Sequence, residues 1–187
     1  MDHYLNIRLL PDPEFAPSVL MSALFSKLHR ALVQQDSRPI GVSFPDTRQE
    51  GTSLGGCLRL HGNSRDLQQL MVQDWLTGMR DHTAVGEIAS VPENALHRVV
   101  RRVQAKSNPE RLRRRLVQRK GITEEEARQF IPDKAVEKLD LPYVIIRSHS
   151  TGQSFRLFID HRPTQVMPVK GEFSAYGLSP AATVPWF

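Results

Sequence analysis

Apolar positions along this chain follow two rhythms, and their order predicts a mixed fold. Leu5, Ile7 and Leu9 alternate with Asn6 and Arg8, so residues 3–9 read as a strand with one buried face. After the loop PDPEFAP, Leu20, Leu24, Leu28, Ala31 and Leu32 recur at helical spacing. Ser18 is the expected start of this helix, which runs to about Gln35. Residues 39–44 and 57–61 read as strands, with the Gly/Ser/Thr-rich stretch 51–56 as the turn between them. Ser64 is the expected cap of a second helix carrying Leu67, Leu70, Met71 and Leu76, and a strand near 83–90 follows. The order β-α-β-β-α-β predicts a ferredoxin-like domain over residues 1–95, an arrangement that hosts many unrelated functions.

Residues 91–97 form a linker around Pro92, and a different pattern begins beyond it. A strand through 98–104 leads to a helix that Asn108 can cap, with Pro109 at its first position and Gly121 at its end. Thr123 and Glu126 form a capping box for a further helix that stops before Pro132. Strands are expected at 142–148 and 154–160, joined by the Ser150–Thr151–Gly152 turn. Two more, near 164–169 and 173–178, meet at Lys170–Gly171. The fold class is therefore α+β: an N-terminal ferredoxin-like domain, then residues 96–187 with a basic helix and a small antiparallel sheet.

Charge changes this picture more than composition does. The net charge of the chain is only +5, and 40% of its residues are hydrophobic, as in an ordinary globular protein. Residues 98–120, however, hold ten basic side chains and one acid, Glu110, a local +9 that leaves −4 for everything else. A charged helix face normally mixes signs; this one does not, and such a field suits a polyanion. At about 100° per residue, Arg111, Arg114, Arg115 and Arg119 fall on one arc with Gln118, and Leu112 and Leu116 mark the apolar edge. Arginine's planar fork grips phosphates bidentately, so a face of guanidinium groups points to nucleic acid. An A-form major groove is normally too narrow to enter, which favours a short hairpin or a stem end. Arg102 and Gln104 alternate on the preceding strand; they fit either reading of guanine and adenine edges or two more phosphate contacts. No aromatic-bearing sheet motif of the ordinary RNA-recognition domain occurs, so another surface must bind.

Other classes recede. No apolar run reaches transmembrane length, and MDHYLNIRLL lacks the make-up of a signal peptide, so a cytoplasmic protein without a membrane partner is expected. The single cysteine, Cys57, excludes an internal disulfide, and no Cys/His cluster has zinc spacing. A DNA-binding regulator is disfavoured, since neither a helix-turn-helix nor a dimerisation heptad is present. Taken alone, His29 reads as a surface histidine, Ser148 as a strand-end hydrogen bonder, Tyr176 as a half-buried strand residue and Phe155 as core alternating with Leu157 and Ile159.

The stretch RVQAKSNPERLRRRL and the downstream STGQSFRLFI closely resemble the CRISPR RNA-processing endoribonuclease of type I-F systems, the hairpin-binding subunit of the Csy surveillance complex. The resemblance extends from MDHYLNIRLLPDPEF and IGVSFPD to the terminal VPWF. It implies that His29 in FSKLHRAL is the catalytic histidine, that Ser148 in IIRSHSTGQ holds the ribose 2′-hydroxyl, and that Tyr176 in SAYGLS orients the histidine. It implies base reading by Arg102 and Gln104, groove and phosphate contacts by Arg115 and its neighbours, and stacking of Phe155 on the terminal base pair. Lys106, Ser150 and Thr151 complete the expected RNA contacts. The implied reaction is cleavage 3′ of a repeat hairpin by the substrate's own 2′-hydroxyl, leaving a 2′,3′-cyclic phosphate and a 5′-hydroxyl, with no metal or other cofactor. The expected partners are the CRISPR repeat hairpin and the other Cas proteins of the Csy complex; the alternative is a hairpin-binding subunit without catalysis. Three departures from the family pattern stand out: Gln118 within the arginine run, His149 between two serines, and GLSPAAT after Tyr176.

The arginine arc makes a direct prediction. Replacing Arg111, Arg114, Arg115 and Arg119 together by alanine should weaken hairpin binding and flatten its salt dependence. Each lost duplex phosphate contact should remove roughly 0.9 from the log–log slope. Titrations at several salt concentrations that return an unchanged affinity and slope would exclude this face as the binding surface.

Overall fold

In a computed structural model, the chain is described over residues 1–34, 39–47, 52–104, 109–132, 139–147 and 152–187. The first half is β1 (His3–Leu9), α1 (Pro17–Val33), β2 (Gly41–Ser43), β3 (Cys57–Gly62), α2 (Ser64–Val72), β4 (Thr83–Val85) and the short β5 (Ala89–Ser90). Its sheet runs β2-β3-β1-β4, with β5 also on β1, and every pairing is antiparallel. This is the ferredoxin-like order that the sequence predicts. Local details shift. Ala16 rather than Ser18 caps α1, and Pro17 takes the first turn, where its missing N–H costs no hydrogen bond. Asn63, not Ser64, caps α2: its side chain accepts from the Asp66 amide at 2.7 Å. Leu76, expected on α2, lies past its end, and Leu76 and Trp75 are buried from a turn instead.

The second sheet runs β7-β8-β6-β9, from β6 (Leu96–Val103), β7 (Tyr143–Arg147), β8 (Ser154–His161) and β9 (Thr183–Trp186). The strands expected near 164–169 and 173–178 do not form. That segment carries Pro163 and Pro168, makes one isolated bridge from Gln165 to His97, and leaves Val166 and Met167 exposed. The strand that completes the sheet comes later, β9, pairing with β6 from Leu96↔Trp186 to Val99↔Thr183. Proline cannot donate to a ladder, which disfavours pairing through the segment with Pro163 and Pro168. Pro185 is tolerated because β9 is an edge strand.

Contacts group the chain into two compact units, residues 1–102 with 141–187, and residues 103–140. The first holds both sheets around one core, in which Leu5, Leu24, Phe25 and Leu60 meet Val100, Ile146, Leu157 and Val184. The second contains α3 (Pro109–Lys120) and α4 (Glu124–Phe130). Gly121, at φ 64°, ends α3 with its amide on the Val117 carbonyl at 2.8 Å. The Thr123–Glu126 capping box forms as expected; the proposed Asn108 cap lies outside the described residues.

Two imidazoles, one fully buried and one partly buried, tie the core to pH. His61, fully buried on β3, meets the Ser43 hydroxyl at 2.8 Å; burial and then the Arg59 charge press its pKa down to about 3. His161, set edge-on to Trp186 and Phe44, is pressed to about 4 by burial and then by Arg98. The unfolded chain binds protons at these positions below the ordinary 6.5, whereas the fold resists them until about 3 and 4, so acid favours unfolding. Between pH 7 and pH 5 the unfolding free energy should fall by about 2 kcal/mol for each. Urea melts at the two pH values check this, and His161→Leu should remove its share of the slope.

Candidate RNA-cleavage site

Four residues predicted from the sequence converge within the first compact unit. His29 lies on α1, half-buried, with Nδ1 2.8 Å from the Ala175 carbonyl. Its ring stacks on Tyr176 with centroids 4.0 Å apart and planes 16° off parallel. Tyr176 also runs parallel to Phe25, one turn earlier on α1, at 6.4 Å. The Arg102 guanidinium lies 5.6 Å from the Tyr176 ring and 5.7 Å from that of Phe155. Phe155 is half-buried on β8 and packs against the core.

Helical spacing explains why α1 can serve both core and site. Leu20, Leu24, Phe25, Leu28 and Leu32 are buried along one side. Ser22 and Ser26 lie on the row that leads to His29. Ser22 bonds outward to the Ile145 amide at 3.1 Å and back to the Ser18 carbonyl at 2.8 Å, which ties α1 to the edge of β7. Beside this row opens a cleft of about 650 Å³, lined by Ser18, Ser22 and Ser26 and by Tyr143, Ile145 and Arg147 of β7. Hydroxyls and one cation, Arg147, line it together with the apolar Pro17, Val19, Ala23 and Ile145.

Other expected residues fall elsewhere. Ser148, Ser150 and Thr151, with His149, lie outside the described residues, as does Lys106; for Arg111 the helical backbone alone is described. Gln104 is exposed just past β6. In the second unit Arg114, Arg115 and Arg119 are exposed, and Arg115, Gln118 and Arg119 rim a groove of about 560 Å³ with Leu112, Leu116 and Ile131. Sequence reasoning missed the Ala175 carbonyl and Phe25. A backbone acceptor leaves no mark in a sequence; the only visible signal was the turn glycine in SAYGLS.

The chain was compared with known proteins. The family described as CRISPR-associated protein (Cas_Csy4) matches residues 4–187. A CRISPR-associated endonuclease Cas6/Csy4 of Pseudomonas aeruginosa (strain UCBPP-PA14) is 58% identical over 187 residues, covering 100% of both chains. A protein of the same name from Escherichia coli (strain UTI89 / UPEC) is 49% identical over 187 residues, again covering 100% of both. Among solved structures, an RAMP protein binding different RNA substrates covers 98% of this chain and 99% of that one, with TM-score 0.37 and 10% identity.

One arginine of the run has a structural task. Arg113 turns from the exposed arc and donates Nε and Nη2 to the Ile131 carbonyl at 2.8 and 2.6 Å, closing the end of α4 onto α3. Charged donors on a helix-end carbonyl are strong hydrogen bonds. Arg113→Ala should therefore loosen the helix pair by about 1–2 kcal/mol. Faster amide hydrogen exchange in α4 would register it, whereas Arg114→Ala should leave that exchange unchanged.

Proposed function

Because the chain belongs to the Cas_Csy4 family of CRISPR-associated proteins, we propose that it is a metal-independent endoribonuclease acting on precursor CRISPR RNA. It binds the repeat hairpin through the arginines of α3, cuts 3′ of the stem, and stays on the product as a subunit of a Csy-type complex with other Cas proteins. The observation that carries the chemistry is His29, half-exposed, stacked on Tyr176 and, among the described residues, hydrogen-bonded through Nδ1 alone. A histidine held in one orientation by one ring nitrogen can offer the other to a substrate proton.

His29 takes the proton of the 2′-hydroxyl upstream of the cut, which Ser148 holds for in-line attack on the neighbouring phosphorus. The 2′-oxygen bonds to phosphorus as the bond to the 5′-oxygen breaks, leaving a 2′,3′-cyclic phosphate and a 5′-hydroxyl. The nucleophile belongs to the substrate, so neither an activated water nor a metal is required. Arg102, beside Tyr176 and Phe155, is suited to the lowest base pair of the stem. Phe155 offers that pair an aromatic surface.

Replacing the 2′-hydroxyl at the cut with hydrogen should abolish cleavage and leave binding intact. His29→Ala should do the same through loss of the base, typically about 10²–10⁴ in rate, and chelators should have no effect. Cleavage of the 2′-deoxy hairpin at the ordinary rate would require an external nucleophile and overturn the mechanism. Tight binding with no cutting by the unaltered protein would leave a hairpin-binding subunit without catalysis.

A further inference from the structure

A general base needs its lone pair on the nitrogen that faces substrate, and a neutral imidazole in water prefers the opposite arrangement, with its proton on Nε2. In this chain the Ala175 carbonyl, which can only accept, stands 2.8 Å from His29 Nδ1. It requires the proton on Nδ1 and leaves Nε2 bare. Among the described residues Nε2 has no hydrogen-bond partner.

That carbonyl belongs to a turn that is itself tightly held. The Gly177 amide donates to the Ser174 carbonyl at 2.8 Å, the Ser174 amide donates to the Leu178 carbonyl at 2.8 Å, and the Tyr176 amide reaches the Ser174 hydroxyl at 3.3 Å. The turn is then fastened to the free edge of the first sheet, where the Val42 amide of β2 donates to the Gly177 carbonyl at 2.9 Å. Only glycine permits this. Gly177 has φ +68°, and a Cβ there would lie 2.3 Å from Val42 Cγ2 and 3.2 Å from Val42 Cβ. Val42 is fully buried and cannot swing away.

Building on the assignment of His29 as general base, we propose that Gly177 is a positioning residue for the reaction: by seating the 174–178 turn on β2, it aims the Ala175 carbonyl at His29 and selects the base-competent tautomer. When Nε2 takes the 2′-proton, the imidazolium keeps its Nδ1–H bond to Ala175, so the ring does not turn over. The leaving 5′-oxygen takes its proton from solvent. Tyr176, on the same turn, holds the ring face while its neighbour's carbonyl holds the ring edge.

The test is ¹⁵N NMR of histidine-labelled full-length protein, with His29 assigned by its loss in His29→Ala, together with single-turnover cleavage and hairpin Kd. The unaltered protein should show neutral His29 with a protonated, pyrrole-type Nδ1 and a bare, pyridine-type Nε2. Gly177→Ala should move the population toward Nε2–H and slow cleavage by about 10–100-fold, a misplacement effect, while Kd is unchanged. Adding Val42→Ala to Gly177→Ala should make room for the methyl and restore much of both tautomer and rate. If Gly177→Ala does not fold, the NMR spectrum of the unaltered protein still decides: an Nε2–H tautomer there overturns the proposal. So does a Gly177→Ala protein that loses rate without a tautomer change, or changes tautomer without losing rate. Normal cleavage by His29→Ala would instead refute the assignment of the base, whatever the tautomer.

Discussion

The site depends on a close approach at Gly41. A Cβ at this position would lie 2.5 Å from Val184 Cγ1 and 2.9 Å from the Phe173 ring, so the C-terminal segment can press onto β2 only because the side chain there is hydrogen. Val184 and Phe173 thereby join the core that Leu5, Leu24 and Leu60 begin, and two small sheets share one apolar interior. Burial at a hydrocarbon interface of this kind is the dominant favourable term in folding. It also delivers the 174–178 turn to the edge of β2, beside α1, where His29 waits. Core packing and site assembly are the same event.

Histidine illustrates how environment divides one residue type into different tasks. His61 and His161 are silenced by burial, their charged forms pushed far below neutrality. His61 meets the Ser43 hydroxyl and His161 the rings of Phe44 and Trp186, and among the described residues each has an unpartnered ring nitrogen inside the protein. His29, half-exposed, has its second ring nitrogen unpartnered among the described residues. Arginine divides likewise. Arg59 is buried, stacked 4.0 Å over Phe187 and bonded to the Phe187 carbonyl at 2.9 Å, an anchor for the last strand. Arg113 closes a helix end, and Arg114, Arg115 and Arg119 face solvent. Counting basic residues does not separate these roles; geometry does.

Much of this was legible in the chain itself, because periodicity and caps are local. The alternation in β1, the helical row through α1, Pro109 and Gly121 around α3 and the Thr123–Glu126 box all appear as read. The cap of α2 was misplaced by one residue, since Asn63 and Ser64 are both good caps and only the backbone decides which turns first. The strands expected after Pro163 do not form: Pro163 and Pro168 weaken a ladder there, and β6 pairs instead with β9, some 80 residues on. Side-chain identity and resemblance singled out His29, Tyr176, Arg102 and Phe155, and these four side chains do lie together. What held His29 was not legible, because the acceptor is a main-chain carbonyl 146 positions away.

That separation of 146 positions has a temporal meaning. A ribonuclease emerges from the ribosome beside a large supply of RNA, its own message included. Here α1 and its histidine are synthesised long before the ring's edge and face partners, Ala175 and Tyr176. A nascent chain that stops short of residue 175 has the histidine without its setting, and non-local contacts of this span form late in folding. If His29 is the base, as proposed, competence requires synthesis past Tyr176, and a translation product truncated before that residue is expected to be inert.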